Sequence, residues 1–366
     1  MSTPRKTIVF GPAYLDRVVR VDGPMIDPAI GGVIDRSVMG RSVPSCGEGK
    51  PSIGIIGLPE GLIHVALPDD WPGPFEVVTV GPCGPSGSTR LLRCLDWHDD
   101  LGGMGAGFAK ALGGTLNLVI GDGSDPTNER IIDLLQTADI EVEPLIVPGR
   151  ACEWTLLITS GAFGDKLPIG FRAPVATVPY RIDDEPVDLL VAASMTNARV
   201  DLALRSRNAR VRLFAPAMRN MTDRAPSVSR IAQNVDILCC NRAEWESLDD
   251  REEVAWRVSI LSVTDGPNGA EIRYTTPTGD AGQLVIPAFP RRHPPRDTNR
   301  AGEAFASTLV TTLLDAGWSP GVTSDDMIRV AAARASAASA LVLDRLDFGF
   351  PSDSEIDRAV MAGIVS

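Results

Sequence analysis

The chain has 366 residues, of which 44% are hydrophobic, and its mean hydropathy is +0.05. This composition suits one large domain with an appendage, or two modest domains, with well-filled cores. The formal net charge of −12 and the pI near 4.8 argue against nucleic acid or an anionic membrane surface as the main partner.

Cysteine and histidine usage gives no metal or disulfide pattern. The six cysteines contain no C-x-x-C pair, and Cys239 and Cys240 are adjacent, so we interpret them as buried thiols in a reducing cytoplasm. The three histidines are too scattered to indicate a zinc site. The N-terminus lacks a long apolar stretch of the secretory type, and no run of about twenty apolar residues predicts a membrane span. The sequence therefore predicts a cytoplasmic protein.

The first predicted element is a short buried strand, Thr7–Phe10. From Gly23 to about His98 the chain is rich in Gly and Pro, and its helical periodicity is weak. Strand-like runs bounded by turn residues lie within it at Ser52–Gly57, Leu62–Leu67 and Phe75–Val80. We predict a β-rich insertion over residues 23–99 that forms a lid; a structural flap or a subunit contact is the alternative.

The remainder alternates between strands and helices. Further strands are predicted at Thr115–Ile120, Glu141–Val147, Glu153–Thr159, Val187–Ala192, Val211–Ala215, Val235–Leu238 and Ser259–Thr264, with a hairpin at Ala270–Thr275 and Gln283–Ile286. Helices are predicted at Gly105–Leu112, Pro126–Thr137 (capped by Asp125), Arg199–Asn208, Ala301–Ala316, Ser324–Leu343 and Asp353–Met361. A Gly/Pro-rich crossing is expected between Thr159 and Pro186. This alternation indicates an α/β fold with a doubly wound, mostly parallel sheet, formed by residues 1–22 and 100–366. In such sheets ligands bind at the carboxyl ends of the strands.

The most informative segment is Asp297–Ala306, which reads DTNRAGEAFA. A turn there opens a helix, and the first N–H groups of a helix have no intrahelical partner and favour an anion. The segment resembles the signature D-T-x-G-A-G-D-A-F of the ribokinase (PfkB) family of sugar and nucleoside kinases. The resemblance implies a ribokinase-like fold, an anion hole at Arg300, Ala301 and Gly302, and Glu303 as the base that takes the proton of the attacking hydroxyl.

Two segments nearer the N-terminus also resemble this family. The segment that ends at Asp16 is similar to the family's first strand and turn, which implies that Asp16 binds substrate hydroxyls; a cap or turn residue is the alternative. Leu101–Gly113 is similar to G-G-x-x-x-N-x-A-x-x-L-x-x-L-G, which implies a substrate-side hinge at Gly102 and Gly103. A Gly-rich loop before a packed helix is the alternative. The family's Asn aligns with Gly107.

Two later segments resemble the nucleotide side of the family site. Asn241 and Glu244 match an N-x-x-E motif, which implies that they organise Mg²⁺ through its water shell. The alternative is a helix cap at Asn241 with Glu244 completing a capping box. The stretch Ser262–Ala270 matches T-x-G-x-x-G-A, with a plain hairpin turn as the alternative. The residues that it implies in nucleotide binding are Thr264, Gly266 and Gly269.

Taken together, the resemblance implies an ATP- and Mg²⁺-dependent phosphotransferase that acts on a hydroxyl of a small sugar or nucleoside-like substrate. Family members often dimerise through the lid, which implies a homodimer. Three positions depart from the family pattern: Arg300 replaces Gly, Glu303 replaces Asp, and Gly107 replaces Asn. Arg300 could reach the phosphate or form a salt bridge with Glu303. The alternative function is therefore a catalytically impaired protein that binds a nucleotide or metabolite as a sensor or scaffold.

Overall fold

The computed structural model describes residues 5–21, 52–58, 61–66, 76–80, 89–160, 165–171, 183–276, 278–293, 295–345 and 347–365. The chain divides into two compact units. The first comprises Met1–Tyr14, Leu101–Cys152 and Ala173–Ser366. The second comprises Leu15–Asp100 and Glu153–Arg172.

The described strands are, in chain order, β1 (Thr7–Phe10), β2 (Tyr14–Val21), β3 (Ser52–Leu58), β4 (Gly61–Ala66), β5 (Glu76–Val80), β6 (Thr89–Gly102), β7 (Thr115–Gly121), β8 (Val142–Val147), β9 (Trp154–Ser160), β10 (Asp165–Phe171), β11 (Asp183–Ala193), β12 (Arg207–Ala215), β13 (Ile237–Asn241), β14 (Ile260–Thr264), β15 (Ala270–Thr275) and β16 (Ala281–Ile286). The described α-helices are α1 (Met104–Leu112), α2 (Pro126–Thr137), α3 (Asn197–Arg205), α4 (Met218–Thr222), α5 (Val228–Ile231), α6 (Arg242–Glu246), α7 (Arg251–Arg257), α8 (Ala301–Asp315), α9 (Asp325–Val342) and α10 (Asp353–Ala362).

The first unit is built on a nine-stranded sheet with the order β16-β15-β14-β13-β12-β11-β1-β7-β8. Neighbouring strands from β14 through β13, β12, β11, β1 and β7 to β8 pair in parallel. The β14–β15 and β15–β16 pairs at one edge of this sheet are antiparallel. This mostly parallel sheet with flanking helices confirms the predicted doubly wound α/β architecture.

Both faces of this sheet are covered, because successive side chains of its central strands point to opposite faces and both sets are buried. On one face Phe10, Leu190 and Phe214 join a core cluster with residues of α3, α5, α6 and α7. The alternate residues Val9 and Leu189 are also fully buried. The strands consequently read as continuous apolar runs, which made them recognisable in the sequence. Among the described residues, no helix combines the length and apolar character that a membrane span requires.

The second unit contains a five-stranded sheet with the order β10-β9-β2-β6-β5, and β3 and β4 form an antiparallel pair. The three strands expected within residues 23–99 correspond to β3, β4 and β5. Residues 89–99 of the predicted insertion belong to β6, a strand that was not predicted. Residues 23–51, 59–60, 67–75 and 81–88 lie outside the described part of the chain.

Two local expectations were wrong. The helix predicted over Arg199–Asn208 ends at Arg205, and β12 begins at Arg207 because pairing with β11 draws these polar residues into the sheet with alternating burial. The crossing predicted before Pro186 contains β10, which pairs antiparallel with β9. In both places strand pairing overrides local composition: β12 pairs with β11 across the intervening α3, whereas β9 and β10 form a hairpin. The predicted Asp125 cap was correct, since its side chain accepts a hydrogen bond from the Thr127 N–H. Cys239 and Cys240 are buried free thiols, as expected, whereas Cys152 is only partly buried.

Candidate functional site

Two neighbouring parallel strands of the first unit end side by side with polar residues. β13 ends at Asn241 and β14 ends at Thr264, and these two residues are register partners. The carboxyl edge of a parallel sheet is where ligands bind in folds of this kind. Two of the motifs read from the sequence are therefore adjacent at this edge, although 22 residues separate them in the chain.

Asn241 and Glu244 form a reciprocal capping box at the start of α6. The Glu244 N–H donates to Asn241 Oδ1 at 2.9 Å, and the Asn241 N–H donates to Glu244 Oε2 at 2.9 Å. The helix cap considered from the sequence is thus present. It fixes the Glu244 carboxylate at the sheet edge. Burial, together with the negative charge of Glu303, raises the pKa of Glu244 to about 7, against the lowering effect of its hydrogen bonds with Asn241.

We expect Glu244→Gln to stabilise the protein in neutral, Mg²⁺-free buffer. Because the folded-state pKa lies above that of the unfolded chain, the folded protein holds an extra proton between about pH 4.5 and pH 7, so stability falls as pH rises through that window. Gln keeps an acceptor for the Asn241 N–H and removes the buried charge. Its gain should be about 1–3 kcal/mol at pH 8 and should vanish near pH 4.5, as measured by urea denaturation at both pH values.

Glu355→Gln is the matched control, since Glu355 forms the same capping box with Ser352 at the start of α10. There the Ser352 hydrogen bonds and the Arg345 charge lower the pKa of Glu355. Glu355→Gln should therefore lower the free energy of unfolding at pH 8, whereas Glu244→Gln should raise it. A Glu244→Gln protein that is less stable than the parent at pH 8 would contradict the expected burial effect.

The segment Asp297–Ala306 opens α8 as the signature predicts. Arg300 is the N-cap residue and lies in the left-handed region with φ 66° and ψ 0°. The Arg300 side chain accepts no hydrogen bond from the first turn of α8, so the N–H groups of Ala301 and Gly302 stay available to an anion. The turn thus keeps a conformation that glycine adopts freely, at a cost of about 1–2 kcal/mol for a residue with a side chain.

The Arg300 side chain is buried and contacts Asp297 and Phe348. Its Nη2 donates to Asp297 Oδ2 at 3.3 Å, and its guanidinium carbon lies 5.5 Å from the Phe348 ring centroid. The ion-pair partner is therefore Asp297, and the salt bridge with Glu303 considered from the sequence is not formed. These contacts offset part of the strain at this turn. They place a fixed positive charge beside the start of α8.

Glu303 lies in the first turn of α8 and is partly exposed. Burial raises the pKa of Glu303, while a hydrogen bond from its own backbone N–H and the charge of Arg300 lower it. Its charge also acts on Glu244, so the two carboxylates influence each other electrostatically. A carboxylate with a raised pKa is a stronger base than an ordinary solvated glutamate, and this suits a group that accepts a proton.

A cleft of about 530 Å³ joins the strand edge to the start of α8. Its wall contains five residues that the sequence assigned to nucleotide or anion binding: Thr264, Gly266, Gly269, Ala301 and Gly302. A Cβ added at Gly302 would meet no atom within 4 Å, so the cleft is open there. By contrast, a Cβ at Gly269 would collide with the Ile286 carbonyl oxygen, which gives this glycine a packing role as well.

Sequence reasoning missed the opposite wall of the cleft. It consists of Phe289 after β16, Pro295, and one side of α9 with Ser336, Ser339, Ala340 and Leu343. The run of Ala and Ser in α9 is the signal that could have found it, because small side chains on one helix face leave room for a ligand. The sequence predicted only a helix over Ser324–Leu343. Its position against the T-x-G-x-x-G turn depends on the tertiary structure.

The structure places the predicted substrate-side residues in β2, at the end of β6 and directly before α1. Asp16 is within β2 of the second unit, paired in register with Thr155, so it is a strand residue and not a turn residue. Gly102 ends β6, and Gly103 precedes α1 with φ 98°. A Cβ at Gly103 would collide with the Pro12 carbonyl oxygen, so close backbone packing accounts for this glycine. The described residues contain no group of three or more His, Cys, Asp or Glu side chains arranged to hold a metal.

Comparison with known proteins supports the resemblance at the level of the fold. No family model and no curated protein sequence matches the chain. Solved structures of ribokinase-family proteins do match it over nearly its whole length. A nucleoside kinase of Methanocaldococcus jannaschii, an archaeal member of the ribokinase family, is 13% identical with a TM-score of 0.60, and the match covers 98% of each chain.

Two ligand complexes are similar to the chain as well. A Burkholderia thailandensis nucleoside kinase in complex with inosine is 14% identical with a TM-score of 0.60, and 98% of each chain is covered. A Cryptococcus neoformans ribokinase in complex with ADP is 14% identical with a TM-score of 0.58; the match covers 97% of this chain and 99% of that one. The chain therefore has the ribokinase-like α/β fold.

Proposed function

We propose that the protein is an ATP- and Mg²⁺-dependent phosphotransferase that acts on a hydroxyl of a small sugar or nucleoside-like substrate. The observation that carries this proposal is the cleft in which Thr264 and Gly266 face the open N-terminus of α8. The cleft brings the segment that resembles a nucleotide-binding motif together with backbone N–H groups that can bind an anion, from a later part of the chain. The ADP and inosine complexes of proteins with the same fold support this class of reaction.

The size and the chemical lining of the cleft fit a nucleoside triphosphate. Its volume of about 530 Å³ is within the usual range of small-molecule sites, roughly 300–1,000 Å³. Phe289, Ala340 and Leu343 offer an apolar wall for a base, and the start of α8 offers N–H groups for phosphate oxygens. The Arg300 guanidinium adds positive charge behind those donors.

The residues at the strand edge also fit a hydrated Mg²⁺ ion. Burial, and to a smaller extent the charge of Glu303, raises the pKa of Glu244, and a cation beside the Glu244 carboxylate would stabilise its ionised form. Mg²⁺ keeps several waters and needs only one or two protein carboxylates when phosphates supply further oxygens. Asn241 and Glu244 would hold it through water. When bound, the ion would neutralise charge on the phosphates.

Glu303 is the proposed base. It would take the proton of the acceptor hydroxyl as that oxygen bonds to the γ-phosphorus of ATP and the bond from this phosphorus to the ADP oxygen breaks. The N–H groups at Arg300, Ala301 and Gly302 would stabilise the charge on the transferring group. On the acceptor side we propose roles for Asp16, Gly102 and Gly103. A homodimer formed through the 23–99 region and a cytoplasmic location complete the proposal.

Titration calorimetry with Mg²⁺-ATP tests the donor half of this proposal. We expect saturable binding that weakens when Mg²⁺ is removed, because the phosphates would then lack their cation. A folded protein that binds no ATP would contradict the proposal. A panel of sugars and nucleosides, followed by ADP release, then tests the acceptor half. Binding of ATP with no transfer to any acceptor would favour the sensor or scaffold function instead.

A further inference from the structure

Two of the three departures from the ribokinase-family pattern meet in space. Gly107 lies in α1 and Glu303 lies in α8, two helices that contact each other. A Cβ added at Gly107 would lie 3.2 Å from Glu303 Cγ, 3.5 Å from Glu303 Oε1 and 3.6 Å from Glu303 Cδ. These are its three nearest atoms, so the space beside Gly107 is bounded first by the Glu303 side chain.

Backbone conformation does not account for glycine at position 107. Gly107 is buried in α1 and does not have a positive φ. Its N–H donates to the Gly103 carbonyl at 3.1 Å. Glycine is among the least favourable residues in a helix interior. The nearby Gly105 differs, because a Cβ there would lie 2.7 Å from Gly11 Cα. At Gly107 the nearest obstacle is a side chain, and that side chain is the proposed base.

We propose that Gly107 is a positioning residue for Glu303, and that the two departures are a single coupled change. The space left by Gly107 accommodates the extra methylene of Glu303, which keeps its carboxylate at the mouth of the anion hole. The steric coupling stands on the geometry alone, whereas its catalytic consequence rests on the function proposed above. A Cβ at 107 requires the Glu303 side chain to give way by a few tenths of an ångström. Because a misplacement of about 1 Å can cost roughly a hundredfold in rate, a shift of this size should lower the rate by up to about tenfold. When position 303 carries aspartate, which is one methylene shorter, a side chain at position 107 fits without this close contact.

A double-mutant cycle tests this coupling in the full-length protein. The four proteins are the parent, Gly107→Ala, Glu303→Asp and the double variant, and each is measured for Tm and for turnover. Alanine at position 107 has a higher helix propensity than glycine. When position 303 is glutamate, however, the added Cβ lies too close to the Glu303 side chain. We therefore expect the effect of Gly107→Ala on Tm to be about 2 °C more favourable in the Glu303→Asp background than in the parent.

Turnover gives a readout that a merely structural glycine would not move. Gly107→Ala is expected to lower kcat by about threefold to tenfold with an unchanged KM for ATP, because it displaces the base and not the nucleotide. The variant Gly107→Asn combined with Glu303→Asp should turn over faster than Glu303→Asp alone. Lys110→Ala, also in α1, is the control, and its effect on Tm should be the same in both backgrounds.

Non-additivity in Tm or in kcat at positions 107 and 303, but not at 110, supports the coupling. Additive effects in both measurements overturn it. If no acceptor is phosphorylated by any variant, the proposed function fails while the Tm cycle still decides the coupling: non-additive Tm values then support it and additive ones reject it.

Discussion

Glu303→Gln is expected to lower kcat by about 10²–10⁴-fold while leaving Mg²⁺-ATP binding nearly unchanged. Gln is the same size as Glu, so it keeps the contacts with Gly107 and the fold of the α8 terminus. It cannot accept the proton of the acceptor hydroxyl. Steady-state turnover and ATP calorimetry on the same preparation separate these two effects.

The control for this substitution is Glu129→Gln, an exposed position in the first turn of α2. It removes one negative charge from the same unit and should leave kcat unchanged. Normal turnover by the Glu303→Gln protein would show that Glu303 is not the base. Loss of ATP binding together with turnover would instead assign Glu303 a role in the nucleotide site.

Ser339→Trp is expected to weaken ATP binding by at least about a hundredfold, or more than about 2.7 kcal/mol. Ser339 lines the cleft from α9 and is only partly exposed. An indole at this position would occupy the space assigned to the nucleotide base. Calorimetry with Mg²⁺-ATP measures the loss directly.

Ala333→Trp is the matched control, because Ala333 lies on the exposed side of the same helix. It introduces the same bulky side chain into α9 without reaching the cleft. Its Kd for ATP should match that of the parent protein. Unimpaired binding by Ser339→Trp would mean that the nucleotide does not occupy this cleft, and the proposed donor site would have to be abandoned.

The local elements were predictable because their signals are local. Asp125 before Pro126 marked the start of α2, and the apolar runs marked β7, β13 and β14 to within a few residues. The strand β12 was predicted too short because Arg207 and Asn208 carry no apolar signal. They become strand only through pairing with β11, which lies about 20 residues earlier. A short window of sequence carries no information about the energy of pairing with a strand outside that window.

The motifs and their order along the chain by themselves predicted the fold and the candidate site residues. Only the tertiary structure decided which contacts are made by the residues that depart from the family pattern. Arg300 pairs with Asp297 and packs on Phe348, although Glu303 was as near in sequence. Gly107 makes room for Glu303 although 195 residues separate them. The physical reason is that a side chain's partner and its available volume depend on helices brought together by the core, whereas a turn or a helix cap is fixed by its own few residues.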